Sequence, residues 1–176
     1  MKNFNKIDIK QLDTKPIQLI SKNWMLITAG KEDKFNSMIG SWGGIGFLWQ
    51  TPVAFIFIRP QRYTFQFAEQ EPNLTISFFD ERYRKALNLM GTKSGKDMDK
   101  VAESGLTPIV TPTESMAYTE AHYIFECKKL YDQYLRPEHF IEKDIVPDIY
   151  PCNDFHKMYI VEITQAWENK DSVALF

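Results

Sequence analysis

The amino-acid sequence predicts a mainly β protein, an antiparallel barrel with a few short helices inserted between its strands. Three observations carry this. Strand-like segments outnumber helical ones, and the connections between them are too short for regular βαβ crossovers. In "YIFECKKL" the alternation puts Tyr123, Phe125 and Cys127 on one face and Ile124, Glu126 and Lys128 on the other, as a half-buried strand requires.

The elements follow in order. "WMLITAG" (24–30) and "VAFIFIR" (53–59) are rich in β-branched and aromatic residues, and the second is bracketed by Pro52 and Pro60. "LTISFF" (74–79), "YIFECKKLY" (123–131) and "MYIVEITQAW" (158–167) complete the predicted strands. "TFQFAEQ" (64–70) predicts a helix with Thr64 as its N-cap. "ERYRKALNLM" (81–90) predicts a second, stopping at Gly91. "SGKDMDKVAESG" (94–105) predicts a third, opening at Ser94 with Asp97 three positions on and closing at Gly105. "LTPIVTPTES" (106–115) reads as a loop, and the proline-bearing 135–155 segment as a wrap over the surface or an interface.

At 176 residues the chain reads as one domain, and a domain of this size buries roughly 70% of its unfolded surface, so it needs neither disulfide nor metal to fold. The net charge of −2 argues against a nucleic-acid partner, which clustered Lys and Arg would grip. No apolar run approaches the roughly 20 residues that span a bilayer, which predicts no membrane partner. "MKNFNKIDIKQLD" lacks the apolar core of a signal peptide, and Cys127 and Cys152 form no CxxC pair, so the chain reads as cytoplasmic with reduced thiols.

"NSMIGSWGGIG" (36–46) carries three glycines, a tryptophan and several small polar residues directly after an apolar strand. Such a stretch lets backbone amides come close to a flat or charged ligand, with Gly40 and Gly43 permitting the approach and Trp42 beside a ring. Its plain alternative is a glycine-rich strand bending at a barrel corner. "RPQRYT" (59–64) runs from a strand end into a helix start, where free N–H groups and the forks of Arg59 and Arg62 suit an anion; two exposed arginines in a turn is the alternative. "TKSGK" (92–96) repeats the arrangement with Lys93 and Lys96, or is an ordinary solvated cap.

"GTKSGKD" (91–97) fails as a P-loop, because only three residues separate its glycines and Asp97 stands where a Ser or Thr is needed. His122, His139 and His156 have no ligand-spaced carboxylate or thiolate, which predicts no metal site, and Cys127 reads as core. No acid, base or nucleophile is evident, so no catalytic residue is assigned and any chemistry falls to a cofactor.

"NSMIGSWGG", "PVAFIFIRPQRYT", "NLTISFF" and "GTKSGKDMDK", in that order, resemble the flavin reductase-like family, and within it the flavoredoxins, over residues 20 to 165. The resemblance implies a six-stranded Greek-key split barrel that forms a homodimer and holds FMN near the subunit interface. It implies Asn36, Ser37, Met38, Ile39, Ser41 and Trp42 along the isoalloxazine and ribityl chain, largely through backbone groups. Arg59, Arg62, Tyr63 and Thr64 would hold the phosphate end, and Ser94, Gly95 and Lys96 the loop that closes over the cofactor. Many relatives carry Thr where this chain has Ile39, so a hydroxyl contact is lost there. The implied activity is an FMN-dependent oxidoreductase taking electrons from NADH or NADPH to a protein or small-molecule acceptor. The alternatives are a flavoredoxin-type carrier between proteins and a non-catalytic module for haem or another flat ligand.

Overall fold

A computed structural model describes residues 1–172 and 175. Ten strands form: β1 (Phe4–Ile7), β2 (Met25–Lys31), β3 (Lys34–Gly40), β4 (Gly43–Leu48), β5 (Thr51–Ile58), β6 (Asn73–Phe78), β7 (Pro108–Val110), β8 (Met116–Tyr118), β9 (Tyr123–Tyr134) and β10 (Lys157–Asn169). The helices are short: α1 (Pro16–Gln18), α2 (Tyr63–Gln70), α3 (Arg84–Thr92), α4 (Lys100–Ser104) and α5 (Ile145–Ile149).

The strands pair antiparallel in the order β3-β2-β6-β9-β10-β5-β4, with β1 added to β10 beyond the end of β5. This is the expected mainly β split barrel: β3, β2, β6, β9, β10 and β5 are six contiguous strands, and β4 and β1 extend them. The two ends of the sheet, β3 and β4, are consecutive in the chain. Gly40 pairs with Met25 at one edge and Gly43 pairs with Ile56 at the other. The wall is therefore joined there by the covalent link Ser41–Trp42 rather than by ladder hydrogen bonds. "NSMIGSWGGIG" thus forms two strand ends and a corner, which is the bent-strand alternative. Gly43 has φ +150°, and a Cβ there would stand 2.3 Å from the Phe55 carbonyl oxygen.

Inside the barrel, Ile27, Ile56, Ile76, Phe125 and Tyr159 pack with Phe67 of α2. A second core lies on the outer face of β2, β6 and β9, where α3 and the β7–β8 hairpin, with Tyr118 of β8, cover Leu26 and Ile124. The first half of β9 is for that reason buried on both faces, not half-buried: Ile124 and Glu126 are as enclosed as Phe125. Glu126 is buried because donors reach it. Its carboxylate accepts from Trp167 Nε1 at 2.7 Å and from the Thr113 backbone N–H at 2.9 Å.

Three further expectations are corrected. The stretch read as a 106–115 loop contains β7, which pairs with β8. The second helix runs through Gly91 to Thr92 instead of stopping, because Gly91 lies against Ile39, whose Cβ would be 3.2 Å from an added methyl. The third helix begins only at Lys100, capped by Asp99; residues 94–97 are a turn closed by Asp97 N–H on the Ser94 carbonyl. The 135–155 segment does wrap the surface, anchored by buried Tyr150.

Gly43→Ala should lower stability by about 1–3 kcal/mol, the cost of forcing a side chain into that backbone conformation, read as the shift in urea midpoint.

Candidate functional site

The barrel corner opens a cleft of about 180 Å³ lined by Met38, Ile39, Gly40, Ser41 and Trp42 on one side and by Phe57, Arg59, Arg62 and His156 on the other. β3 supplies the first wall because its run past β2 stops at Gly40 and the chain must cross to β5. The second wall is the outer face of β5 and the strand start at β10, which bring Phe57 and His156 together with ring centroids 6.4 Å apart. Trp42 and His156 stand 5.2 Å apart and frame the mouth. Burial and the nearby Arg59 charge lower the His156 pKa to about 4, so the ring is neutral at pH 7. Its Nδ1 lies 2.9 Å from the Tyr150 hydroxyl.

Beyond Arg62 lies a group of cations. Arg62 heads α2 as its N-cap, and no side chain caps that helix, so the expected Thr64 cap is absent. The Arg62 guanidinium donates to the Gly91 carbonyl at 3.0 Å. Lys100, 3% exposed, donates to the Met90 carbonyl at 3.1 Å and to Lys93 O at 3.4 Å. Both cations therefore sit on the carbonyl end of α3, where the helix dipole favours positive charge. Among the described residues neither has a carboxylate partner. Burial, with the nearby Arg62 charge, lowers the Lys100 pKa to about 8, and burial with the Arg59 charge lowers that of Arg62. Arg59 differs: it holds Asp154 at 2.5 Å and the Ile149 carbonyl at 3.0 Å.

The expected site residues divide between places. Met38, Ile39, Ser41, Trp42, Arg59 and Arg62 line the cleft. Asn36, Tyr63, Gly95 and Lys96 line a separate, larger hollow of about 560 Å³ beside the β2–β3 turn. Asn36 is buried, and its Nδ2 donates to the Thr64 hydroxyl at 2.7 Å. Gly95 has to be glycine here, because a Cβ would fall 2.3 Å from Asn36 Oδ1. Ser37 and Thr64 are fully buried. The Ser37 hydroxyl bonds to Thr28 and Tyr118 on the second-core side, so only its backbone is offered to a ligand. Ser94 closes its own turn, accepting from Lys96 N–H at 3.2 Å. Lys93 and Lys96 thus flank a turn and not a helix start; Lys96 lies over the Tyr63 ring.

Sequence reasoning missed Lys100, His156, Phe57 and Tyr150. Lys100 sat inside the third predicted helix, and its burial has no local signal. His156 was weighed only as a metal ligand; its place at the head of a strand beside aromatic residues was the available clue.

The family model described as flavin reductase like domain matches residues 18–176. Among solved structures, the FMN-binding domain of a flavin reductases-like enzyme from Shewanella baltica OS155 has a TM-score of 0.68 at 16% identity, covering 95% of this chain and 78% of that one. Flavoredoxin of Desulfovibrio vulgaris (Miyazaki F) gives 0.67 at 21% identity, covering 97% and 80%. Flavoredoxin from Methanosarcina acetivorans gives 0.65 at 17%, covering 97% and 78%. No curated protein matches the sequence.

The lowered His156 pKa means that the unfolded chain binds this proton more readily than the folded one. The stability it gives is intact above pH about 6.5 and drains away as pH falls toward about 4. In a ring-proton NMR titration the His156 resonance should not move until the pH is below about 5; a resonance that titrates near about 6.5 would contradict the burial argument.

Proposed function

Because the chain belongs to the flavin reductase-like family, we propose that it is an oxidoreductase built to hold FMN. That group supplies hydride and electron transfer between NADH or NADPH and an acceptor. The observation that carries the reading is the pair Arg62 and Lys100, two desolvated cations with no carboxylate partner among the described residues, Arg62 on the aromatic cleft and Lys100 on the neighbouring larger hollow. Keeping two such charges together costs free energy that a phosphate dianion would return through charge-assisted hydrogen bonds.

The chain's own residues then divide the work. Arg62 and Lys100 bind the phosphate, with the uncapped start of α2 facing the same place. Backbone groups of residues 38–42 would be available to the polar edge of the ring system, and Ile39 would give apolar cover in place of a hydroxyl. Trp42, Phe57 and His156 exclude water from the ring face, and neutral His156 adds no charge to the cleft. Arg59, held by Asp154, keeps the far wall in position. No side chain is assigned a proton transfer.

A second reading draws on the two flavoredoxins among the similar structures: a carrier that keeps its FMN and trades electrons with proteins through half-exposed Trp42. Stopped-flow mixing of the FMN-loaded protein with NADH and NADPH separates the two. Fast reduction by a nicotinamide supports the first, and sluggish reduction by both supports the carrier.

We read the working form as a cytoplasmic homodimer. Phe47 (64% exposed), Trp49 (58%), Leu130 and Tyr131 are exposed apolar side chains that a partner copy would cover, and the Trp49 and Tyr131 rings stand 6.4 Å apart. Phe47→Asp combined with Trp49→Asp should convert a dimer to a monomer in sedimentation velocity; a wild-type monomer contradicts the reading.

Purified protein should take up FMN and show flavin absorption in the visible. Arg62→Ala and Lys100→Ala should each weaken FMN binding by about 1–3 kcal/mol, measured by quenching of flavin fluorescence. Wild-type affinity should also fall as pH rises through about 8, where Lys100 gives up its proton.

A further inference from the structure

A further cavity lies on the same outer face of the barrel as the first cleft, under the segment that follows β9. It encloses about 330 Å³ and is lined by Gln133, Tyr134, Leu135, Arg136, His139, Phe140 and Met158. That volume falls at the small end of ligand pockets, about 300–1,000 Å³, and suits a single ring. The floor is Met158, whose cross-strand neighbours are Phe57 on one side and Gln133 on the other. Phe57 is a wall of the first cleft, so one strand position separates the two hollows.

The roof joins them as well. The Phe140 ring lies 5.9 Å from Tyr150, Tyr150 lies 5.6 Å from His156, and His156 lies 5.2 Å from Trp42. The Leu135 backbone N–H donates to the His156 carbonyl at 2.9 Å, pinning the start of the roof.

The lining has a definite chemistry. Tyr134, Leu135, Phe140 and Met158 give apolar and aromatic contact, and none of the lining residues carries a carboxylate. The polar groups are donors. Gln133 already accepts a hydrogen bond from Tyr131 at its carbonyl oxygen, which leaves its NH₂. Among the described residues the Arg136 side chain pairs with Glu138 alone, 3.9 Å away with both side chains about 60% exposed, so its fork is barely engaged. His139 stands beside it.

We propose that this cavity is a binding site for a small aromatic anion, one ring bearing a carboxylate or phenolate, with the ring between Tyr134, Phe140 and Met158 and the anion at Arg136. Binding as such stands on this cavity alone. Its use as a subsite for a second substrate beside the flavin rests on the reading of the first cleft.

The test is isothermal titration of the full-length protein with benzoate, and with neutral benzamide as the control. Benzoate should bind saturably at one site and benzamide at least about tenfold more weakly. Arg136→Glu should weaken benzoate by about tenfold or more, and Met158→Trp should abolish it by filling the floor; FMN uptake should stay at the wild-type level in both. Absence of saturable binding, equal binding of the two probes, or benzoate binding that survives both substitutions overturns the site. Benzoate binding in a protein that takes up no FMN overturns the flavin reading and leaves this site standing.

Discussion

Arg62 and Lys100 share the carbonyl end of α3 without a carboxylate between them, and much of the surrounding architecture serves to make that tolerable. Carbonyl partners take some of their N–H donors and the helix dipole offsets part of their charge, yet their mutual repulsion and desolvation remain. Other buried charges in the chain are settled differently. Lys157 lies 2.7 Å from Glu69 and 2.8 Å from Asp132, and Arg59 is tied to Asp154. Lys129 also rests on helix carbonyls, those of Ala68 and Glu69, so what sets Arg62 and Lys100 apart is that two such cations stand together, and the proposed anion site rests on that.

The placement follows from the way the barrel is closed. A fully hydrogen-bonded barrel fills its interior with side chains and has no gap in the wall. Here the two end strands are joined only through Ser41–Trp42, and the gap is the cleft. α2 leaves the end of β5 just past that corner and puts Arg62 at its rim. α3 crosses the outer face on Gly91, whose missing side chain lets it approach Ile39, and its C-terminus then points its carbonyls at Arg62 and Lys100. Glycine at 43 and 91 and the buried Asn36–Thr64 hydrogen bond are the local conditions for this arrangement.

Much of this was legible in the chain. The segment 53–59 announced itself through alternating β-branched and aromatic residues between two prolines, and Arg59 and Arg62 came with it. The corner was visible as a glycine-rich stretch, although its strand character depended on pairing with β2 and β5, which local composition does not encode. The region 94–105 misled because Ser94 and Asp97 have the spacing of a capped helix. Gly95 instead passes under Asn36, and the chain turns before Asp99 caps α4. β7 hid in a Thr- and Pro-rich run, and β8 just after it, because three-residue strands carry no periodicity. Lys100 was the largest omission: a lysine among charged neighbours reads as solvated surface, and only the tertiary packing of α3 and α4 removes it from water.

The most direct measure of the central claim is the ³¹P NMR shift of FMN bound to the protein, followed from about pH 5 to pH 8. Held between Arg62 and Lys100, the phosphate should remain a dianion throughout, and its resonance should not move. A bound resonance that titrates near pH 6, as a free phosphate monoester does, would contradict the account.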